Sequence, residues 1–83
     1  MEIAQIEVIV FEELQNIAPE LVPSELDRDE DLREELDIDS MDFMILMVAL
    51  GKRLGIKIPD QDHHLLTSLN NLLGYLQEKS GQN

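Results

Sequence analysis

A single serine at position 40 lies inside a dense group of acidic residues, directly before the longest apolar run of the chain. The segment reads DIDSMD over residues 37–42, and the eight apolar residues FMILMVAL follow it. A serine hydroxyl can attack a substrate beside a histidine, cap a helix, or carry a phosphate ester. Hydrolase chemistry is disfavoured because His63 and His64 are not accompanied by a GxSxG elbow. The cap and the ester remain open.

A helix is predicted over residues 40–54, because Met, Leu and Ala are strong helix formers. Asp39 is a good N-cap, Asp42 resembles the acidic member of a capping box, and Gly55 suits a left-handed residue at the other end. With Asp39 as the cap, Ser40 takes the first helical position, where unpaired N–H groups and the helix dipole favour a phosphate. Spacing alone nevertheless favours Ser40 itself as the cap.

The other elements of the chain are also helical by their apolar spacing. A first amphipathic helix is predicted over residues 3–16, and a long connection over residues 18–39 follows. Residues 60–66 predict a short, exposed helical turn that includes the two histidines, and Thr67 or Ser68 caps a last helix. The predicted fold class is all-α: a small four-helix bundle with three longer helices, one short helix and a long first loop.

Length, charge and composition limit the function. The chain has 83 residues, no cysteine and a net charge of −12. We expect a single domain over residues 1–83, with an ordered core of about 3–78 and a frayed KSGQN tail. The acidity excludes nucleic acid as a partner and suits basic protein surfaces. No signal peptide or membrane span is expected, which predicts a cytoplasmic protein.

A calcium site is the metal-binding alternative for the acidic segment. Asp27, Asp29 and Asp31 match the first ligands of an EF-hand loop. Leu32 replaces the required glycine, and Ile38 replaces the required bidentate glutamate. We therefore predict no specific metal site.

The motif around Ser40 resembles that of the acyl carrier proteins. Their usual pattern is D-S-L-D, an apolar helix and I-P-D; this chain has D-S-M-D at 39–42, an apolar helix and I-P-D at 58–60. The resemblance runs from about Leu32 to Tyr75 and extends to the first helix. Apolar or aromatic core positions of the family fall on Leu36, Leu46, Leu50, Leu54, Leu66, Leu69 and Tyr75.

The resemblance implies a carrier that itself catalyses no reaction. Ser40 would carry covalent 4′-phosphopantetheine, with Asp39 and Met41 beside it at the cofactor site. An acyl group would be bound as a thioester for delivery to enzymes of a specialised lipid, polyketide or related pathway. The implied partners are a phosphopantetheinyl transferase, which docks beside Asp39 and Asp42, and the enzymes that load and use the acyl group. We expect a monomer.

The second helix departs from the family pattern, which shows several glutamates to partners. The corresponding exposed positions here include Ile45, Gly51, Lys52 and Arg53. The inward face is predicted to be Phe43, Leu46, Met47, Leu50 and Leu54. The outward face then presents an apolar surface that either docks dedicated partners or is covered by loops. The predicted partner-binding residues are Asp39, Met41, Asp42, Met44, Ile45, Val48 and Lys52.

Phe43 stands where the family often has a small residue near the acyl cavity. A phenylalanine there predicts poor shelter for a long acyl chain and a short or unusual acyl group. Two alternatives stay open. One is a peptidyl or D-alanyl carrier, and the other is a carrier-like module that binds partners without a prosthetic group.

Overall fold

The computed structural model describes residues 2–81, and the helices account for most of them. The longer helices are α1 (Ile3–Ile17), α3 (Ser40–Leu54) and α4 (Leu69–Ser80), and a single turn, α2, spans Leu32–Glu35. Two 3₁₀ helices complete the fold: η1 (Pro23–Glu25) and η2 (Asp60–Leu65). The predicted bundle of three longer helices and a short one is confirmed, and η1 and α2 lie inside the first connection.

The tail of the chain was predicted to fray from residue 79 onward. Lys79 and Ser80 form the last turn of α4, and the Gly81 N–H donates to the Gln77 carbonyl at 3.1 Å as its C-cap. The rest of that prediction, at residues 82 and 83, lies outside the described residues.

The core is a single cluster of apolar side chains in which α1 packs against both α3 and α4. On α1, the buried residues Ile6, Val10 and Leu14 recur every four positions, which places them on one face. Full burial of such a side chain stabilises the fold by about 1.5–3 kcal/mol. The other buried apolar residues are Leu32, Phe43, Leu46, Met47, Leu50, Leu66, Leu69, Leu72, Leu73 and Leu76.

The predicted bounds of α3, residues 40–54, agree with the structure, and local chemistry explains both ends. The Asp39 carboxylate accepts the Asp42 N–H at 2.8 Å, which caps the first turn. Gly55 ends the helix in the left-handed region at φ 67°. Of the predicted capping box, only the bond from the Asp42 N–H to the Asp39 carboxylate forms among the described residues. The Asp42 side chain accepts no hydrogen bond from the Asp39 N–H.

Gly51, inside α3, was predicted to be exposed, but it is half-buried. A Cβ at this position would lie 3.0 Å from the main-chain oxygen of Ile56. The glycine therefore marks a close approach between α3 and the segment that follows it.

The first connection, predicted as a long loop, is fixed to α1 and to the start of α4 by hydrogen bonds. The Leu32 N–H donates to the Thr67 carbonyl at 2.7 Å, and the Asn70 N–H donates to the Arg28 carbonyl at 3.0 Å. The Arg28 side chain also bonds Glu7 of α1 at 2.7 Å and the Asn70 side chain at 3.2 Å. These long-range bonds fix the direction in which the connection leads into α3.

Candidate functional site

Ser40 occupies the first position of α3 and is exposed. The prediction from spacing that Ser40 caps the helix is wrong, because the Asp39 carboxylate performs that role. Within residues 2–81 the Ser40 hydroxyl makes no hydrogen bond. The hydroxyl is therefore exposed and free to react, and its modification would break no bond of the fold.

A sharp turn between α2 and α3 leads the chain into this site. Asp37 adopts φ 53°, a left-handed conformation that aspartate tolerates better than most residues. The Ile38 N–H donates back to the Arg33 carbonyl at 3.0 Å, the longer bond of a Schellman motif. The end of α2 is thus fixed directly before Asp39 and Ser40.

The first turn of α3 also carries unpaired donors. The main-chain N–H groups of Ser40 and Met41 have no acceptor in the part of the chain that the structure describes. Unpaired N–H groups and the positive end of the helix dipole together suit an anion on the neighbouring hydroxyl.

A cavity of about 560 Å³ adjoins Ser40 between α3 and η2. Two of its lining side chains are apolar, Phe43 and Met44. The remaining lining residues are polar or charged: Asp31, Arg33, Ser40, Asp60, His63, His64 and Thr67.

Phe43, predicted to face inward, is 5 % exposed and forms the boundary between this cavity and the core. The His63 ring packs edge-on against it, with centroids 6.2 Å apart and an interplanar angle of 81°. The Arg33 guanidinium lies 5.9 Å from the Phe43 centroid. The prediction that His63 and His64 are both exposed is wrong for His63, which is half-buried because it packs on Phe43.

Arg33 is held in place by Asp31, the N-cap of α2. Its Nε donates to Oδ1 at 3.2 Å, and its Nη2 donates to Oδ2 at 2.9 Å. These side-chain hydrogen bonds lower the pKa of Asp31 and raise the pKa of Arg33. The pair is therefore charged at neutral pH, and it fixes the guanidinium beside the phenylalanine ring.

The outward side of α3 is an apolar surface, which we call the α3 face. Met41 is 65 % exposed, Met44 44 %, Ile45 52 % and Val48 53 %. No loop of the described chain covers these residues, so the covered-face alternative does not hold. Apolar side chains that protrude together from one helix are typical of an interaction site.

The basic residues at the end of α3 differ in their availability. Lys52 is exposed and makes no ion pair among residues 2–81. Arg53 bridges to Glu12 at 3.0 Å and to Glu13 at 3.1 Å on α1. Arg53 therefore serves the packing of α3 on α1.

No group of three or more histidine, aspartate or glutamate side chains is placed to hold a metal ion within residues 2–81. None of the described helices is long and apolar enough to cross a membrane.

Comparison with known proteins decides the family. A family model described as "Phosphopantetheine attachment site" matches residues 10–76. The chain belongs to this family. The cofactor of the family is 4′-phosphopantetheine, which acyl carrier proteins hold on a serine. This confirms the resemblance and the cofactor that the sequence indicated.

Curated relatives agree with this assignment. The chain is 32 % identical over 71 residues to an acyl carrier protein of Campylobacter hominis, covering 82 % of this chain and 90 % of the relative. It is 30 % identical over 88 residues to a meromycolate extension acyl carrier protein of Mycobacterium bovis, covering 100 % of this chain and 73 % of the relative. An acyl carrier protein of Rhodococcus erythropolis is 31 % identical over 72 residues, covering 83 % and 79 %.

The residues at the start of α3 fit the family's cofactor. The arm is attached through a phosphodiester, and this turn combines a free hydroxyl with two unpaired N–H groups. Chemistry that suits a phosphate is therefore present at Ser40 and Met41, and the Asp39 cap leaves both of their N–H groups unpaired.

Proposed function

We propose that Ser40 carries 4′-phosphopantetheine and that the protein delivers acyl groups on this arm to enzymes of a specialised lipid, polyketide or related pathway. The observation that carries the proposal is the division of roles at the start of α3. Asp39 caps the helix, and the adjacent Ser40 hydroxyl is exposed and unbonded. The bound arm supplies a thiol that holds the acyl group as a thioester.

The residues around Ser40 position the phosphate and attract the modifying enzyme, and they catalyse no reaction themselves. The N–H groups of Ser40 and Met41 face the helix N-terminus and favour the phosphate there. The carboxylates of Asp39 and Asp42 attract a basic phosphopantetheinyl transferase and speed its encounter with the carrier. Tethering then raises the effective concentration of the acyl group at each partner enzyme. We propose that the protein itself catalyses no reaction and acts as a cytoplasmic monomer.

The attachment site is tested by intact-mass measurement after incubation with coenzyme A and a broad-specificity transferase. We expect the wild type to gain the mass of one phosphopantetheine group and Ser40→Ala to gain none. Ser24→Ala is the matched control, since Ser24 is also exposed but lies in η1. No gain in the wild type would favour an interaction module without a prosthetic group.

We also propose that the α3 face is a docking surface for the carrier's partner enzymes. Its four apolar side chains lie on the same helix as the attachment residue, and methionine side chains adapt to varied surfaces. A partner that reacts with the arm must approach this helix. The exposed Lys52 one turn further along completes the surface.

Ile45→Glu tests the α3 face because it places a charge at the centre of the apolar surface. We expect kcat/KM for phosphopantetheine transfer and for acyl loading to fall about ten-fold, equivalent to about 1.4 kcal/mol. Val8→Glu is the control, since Val8 is 59 % exposed on α1. Equal rates for the wild type and both variants would refute the docking role.

A further inference from the structure

The cavity beside Ser40 offers few apolar side chains to a long alkyl chain. Burial of an alkyl chain is favourable in proportion to the apolar surface removed from water. Phe43 and Met44 are the only apolar residues in its lining, and the other seven are polar or charged. A hydrocarbon tail in this space would also remove water from carboxylates, imidazoles and a guanidinium, which is unfavourable without replacement hydrogen bonds.

Passage from the cavity into the apolar core is blocked by Phe43. Its ring is buried and contacts both His63 and Arg33, and Arg33 is fixed in turn by two hydrogen bonds to Asp31. A chain entering the bundle would have to displace the ring and break these contacts.

The cavity walls offer polar groups without partners. The side chains of His63, His64 and Thr67 make no hydrogen bond among residues 2–81. His63 Nε2 lies 3.9 Å from Asp60 Oδ1, beyond hydrogen-bond distance. These side chains can donate to or accept from a small polar group on a bound molecule.

The charges of the lining argue against an anionic acyl group. Asp31 and Asp60 contribute two carboxylates, and Arg33, the one guanidinium in the lining, is already paired with Asp31. A free carboxylate on the acyl group would lie near Asp60, and no unpaired guanidinium in the lining would compensate its charge. An uncharged hydroxyl or oxo substituent meets no such repulsion.

We propose that this cavity takes a short acyl group with an uncharged hydrogen-bonding substituent, and that Phe43 is the specificity-determining residue that excludes long alkyl chains. The proposal rests on attachment of the arm at Ser40. The acyl group enters between α3 and η2, its substituent bonds Thr67 or His63, and its carbon chain stops at the Phe43 ring.

The test uses holo-protein charged with butyryl, 3-hydroxybutyryl, succinyl or octanoyl groups, each verified by intact mass. One readout is the thermal midpoint. The other is the rate at which hydroxylamine cleaves the thioester, and this rate is divided by the cleavage rate of the same acyl group on free pantetheine. We expect 3-hydroxybutyryl to be cleaved about five-fold more slowly than butyryl, as one net hydrogen bond gives. Succinyl and octanoyl should show no protection beyond that of butyryl.

Three variants assign the effect to the cavity. Thr67→Val and His63→Ala should each reduce the protection of 3-hydroxybutyryl, whereas Gln61→Ala, on the same 3₁₀ helix but outside the cavity lining, should not. Phe43→Ala should raise the thermal midpoint of the octanoyl form relative to its own butyryl form. If that variant does not fold, the wild-type comparison of the four acyl groups still decides.

The possible results distinguish a failure of this proposal from a failure of Ser40 as the attachment residue. A higher midpoint or slower cleavage for octanoyl than for butyryl in the wild type would overturn exclusion of alkyl chains. Equal protection of butyryl and 3-hydroxybutyryl would overturn recognition of the substituent, and strongest protection of succinyl would overturn the charge argument. Failure to gain the phosphopantetheine mass would instead count against Ser40 as the attachment residue.

Discussion

The division of roles between Asp39 and Ser40 predicts very different costs for two neighbouring alanine substitutions. Asp39→Ala removes the 2.8 Å bond to the Asp42 N–H, and loss of such a cap costs about 1 kcal/mol. Ser40→Ala removes no hydrogen bond and places the best helix former in the first turn, so the expected change is zero to a gain of about 0.5 kcal/mol. The free energies of unfolding of the two variants should therefore differ by about 1–1.5 kcal/mol.

Thermal and urea unfolding followed by far-UV circular dichroism measures this difference. For a domain of this size, about 1 kcal/mol corresponds to about 4–8 °C in the thermal midpoint. Asp39→Asn is the control, because asparagine keeps a side-chain oxygen that can cap the helix. It should retain most of the stability that Asp39→Ala loses.

Equal destabilisation of the protein by Ser40→Ala and Asp39→Ala would contradict this division of roles. That result would mean that the serine hydroxyl caps α3 in solution. Attachment of a cofactor would then break a structural hydrogen bond, and the Ser40 hydroxyl could no longer be described as free for modification.

Two further predictions concern α3 and the contact between η2 and α4. Gly51→Ala should lower the free energy of unfolding, because its Cβ would lie 3.0 Å from a main-chain oxygen. Gly74→Ala is the control, because no atom lies within 4 Å of its added Cβ, and it should raise the free energy of unfolding by about 1 kcal/mol. Urea unfolding measures both variants. A higher free energy of unfolding for Gly51→Ala as well would contradict the close approach at Gly51. The Tyr75 hydroxyl donates to Asp62 at 2.7 Å, and burial followed by this bond raises the pKa of Tyr75 to about 12. Because the folded state holds this proton more tightly, the stabilisation is complete below a pH of about 10 and is lost between pH 10 and about 12. Tyr75 is the only tyrosine in a chain without tryptophan, so tyrosinate absorbance follows it directly. The pKa of Tyr75 should fall in Asp62→Asn yet stay above 10, since burial is the larger cause, and a wild-type midpoint near 10 would refute the buried bond.

Local signals in the sequence were sufficient to predict α3 and the start of α4. Both depend on groups within four residues of the helix end: Asp39 and Gly55 for α3, and Ser68 for α4, where it accepts the Asn71 N–H at 3.2 Å. The assignment of the cap within α3 was less secure, because Asp39 and Ser40 are adjacent and both are good cap residues. Because Asp39 is the cap, the Ser40 hydroxyl is free; a helix that began one residue later would have used Ser40 as its cap.

Contacts between distant segments were beyond the reach of spacing arguments. His63 is half-buried because it meets Phe43, which lies on another helix. Arg53 is exposed as predicted, but its ion pairs with Glu12 and Glu13 depend on how α3 crosses α1, which spacing within α3 does not show. The polar side chains that line the cavity beside Ser40 likewise come from α2, α3, η2 and the residues next to them, so no single segment predicts the cavity.

The packing of α1 against both α3 and α4 has a consequence for the order of events during synthesis. Contacts between segments far apart in sequence form only after the intervening chain has been closed into a loop, at a cost in entropy. The Leu32–Thr67 and Arg28–Asn70 bonds delay the fixing of the first connection in the same way. When Ser40 has just emerged from the ribosome, the segments that complete the core, including α4, have not yet been made. We expect a transferase that selects the folded helix to act only after α4 has been made.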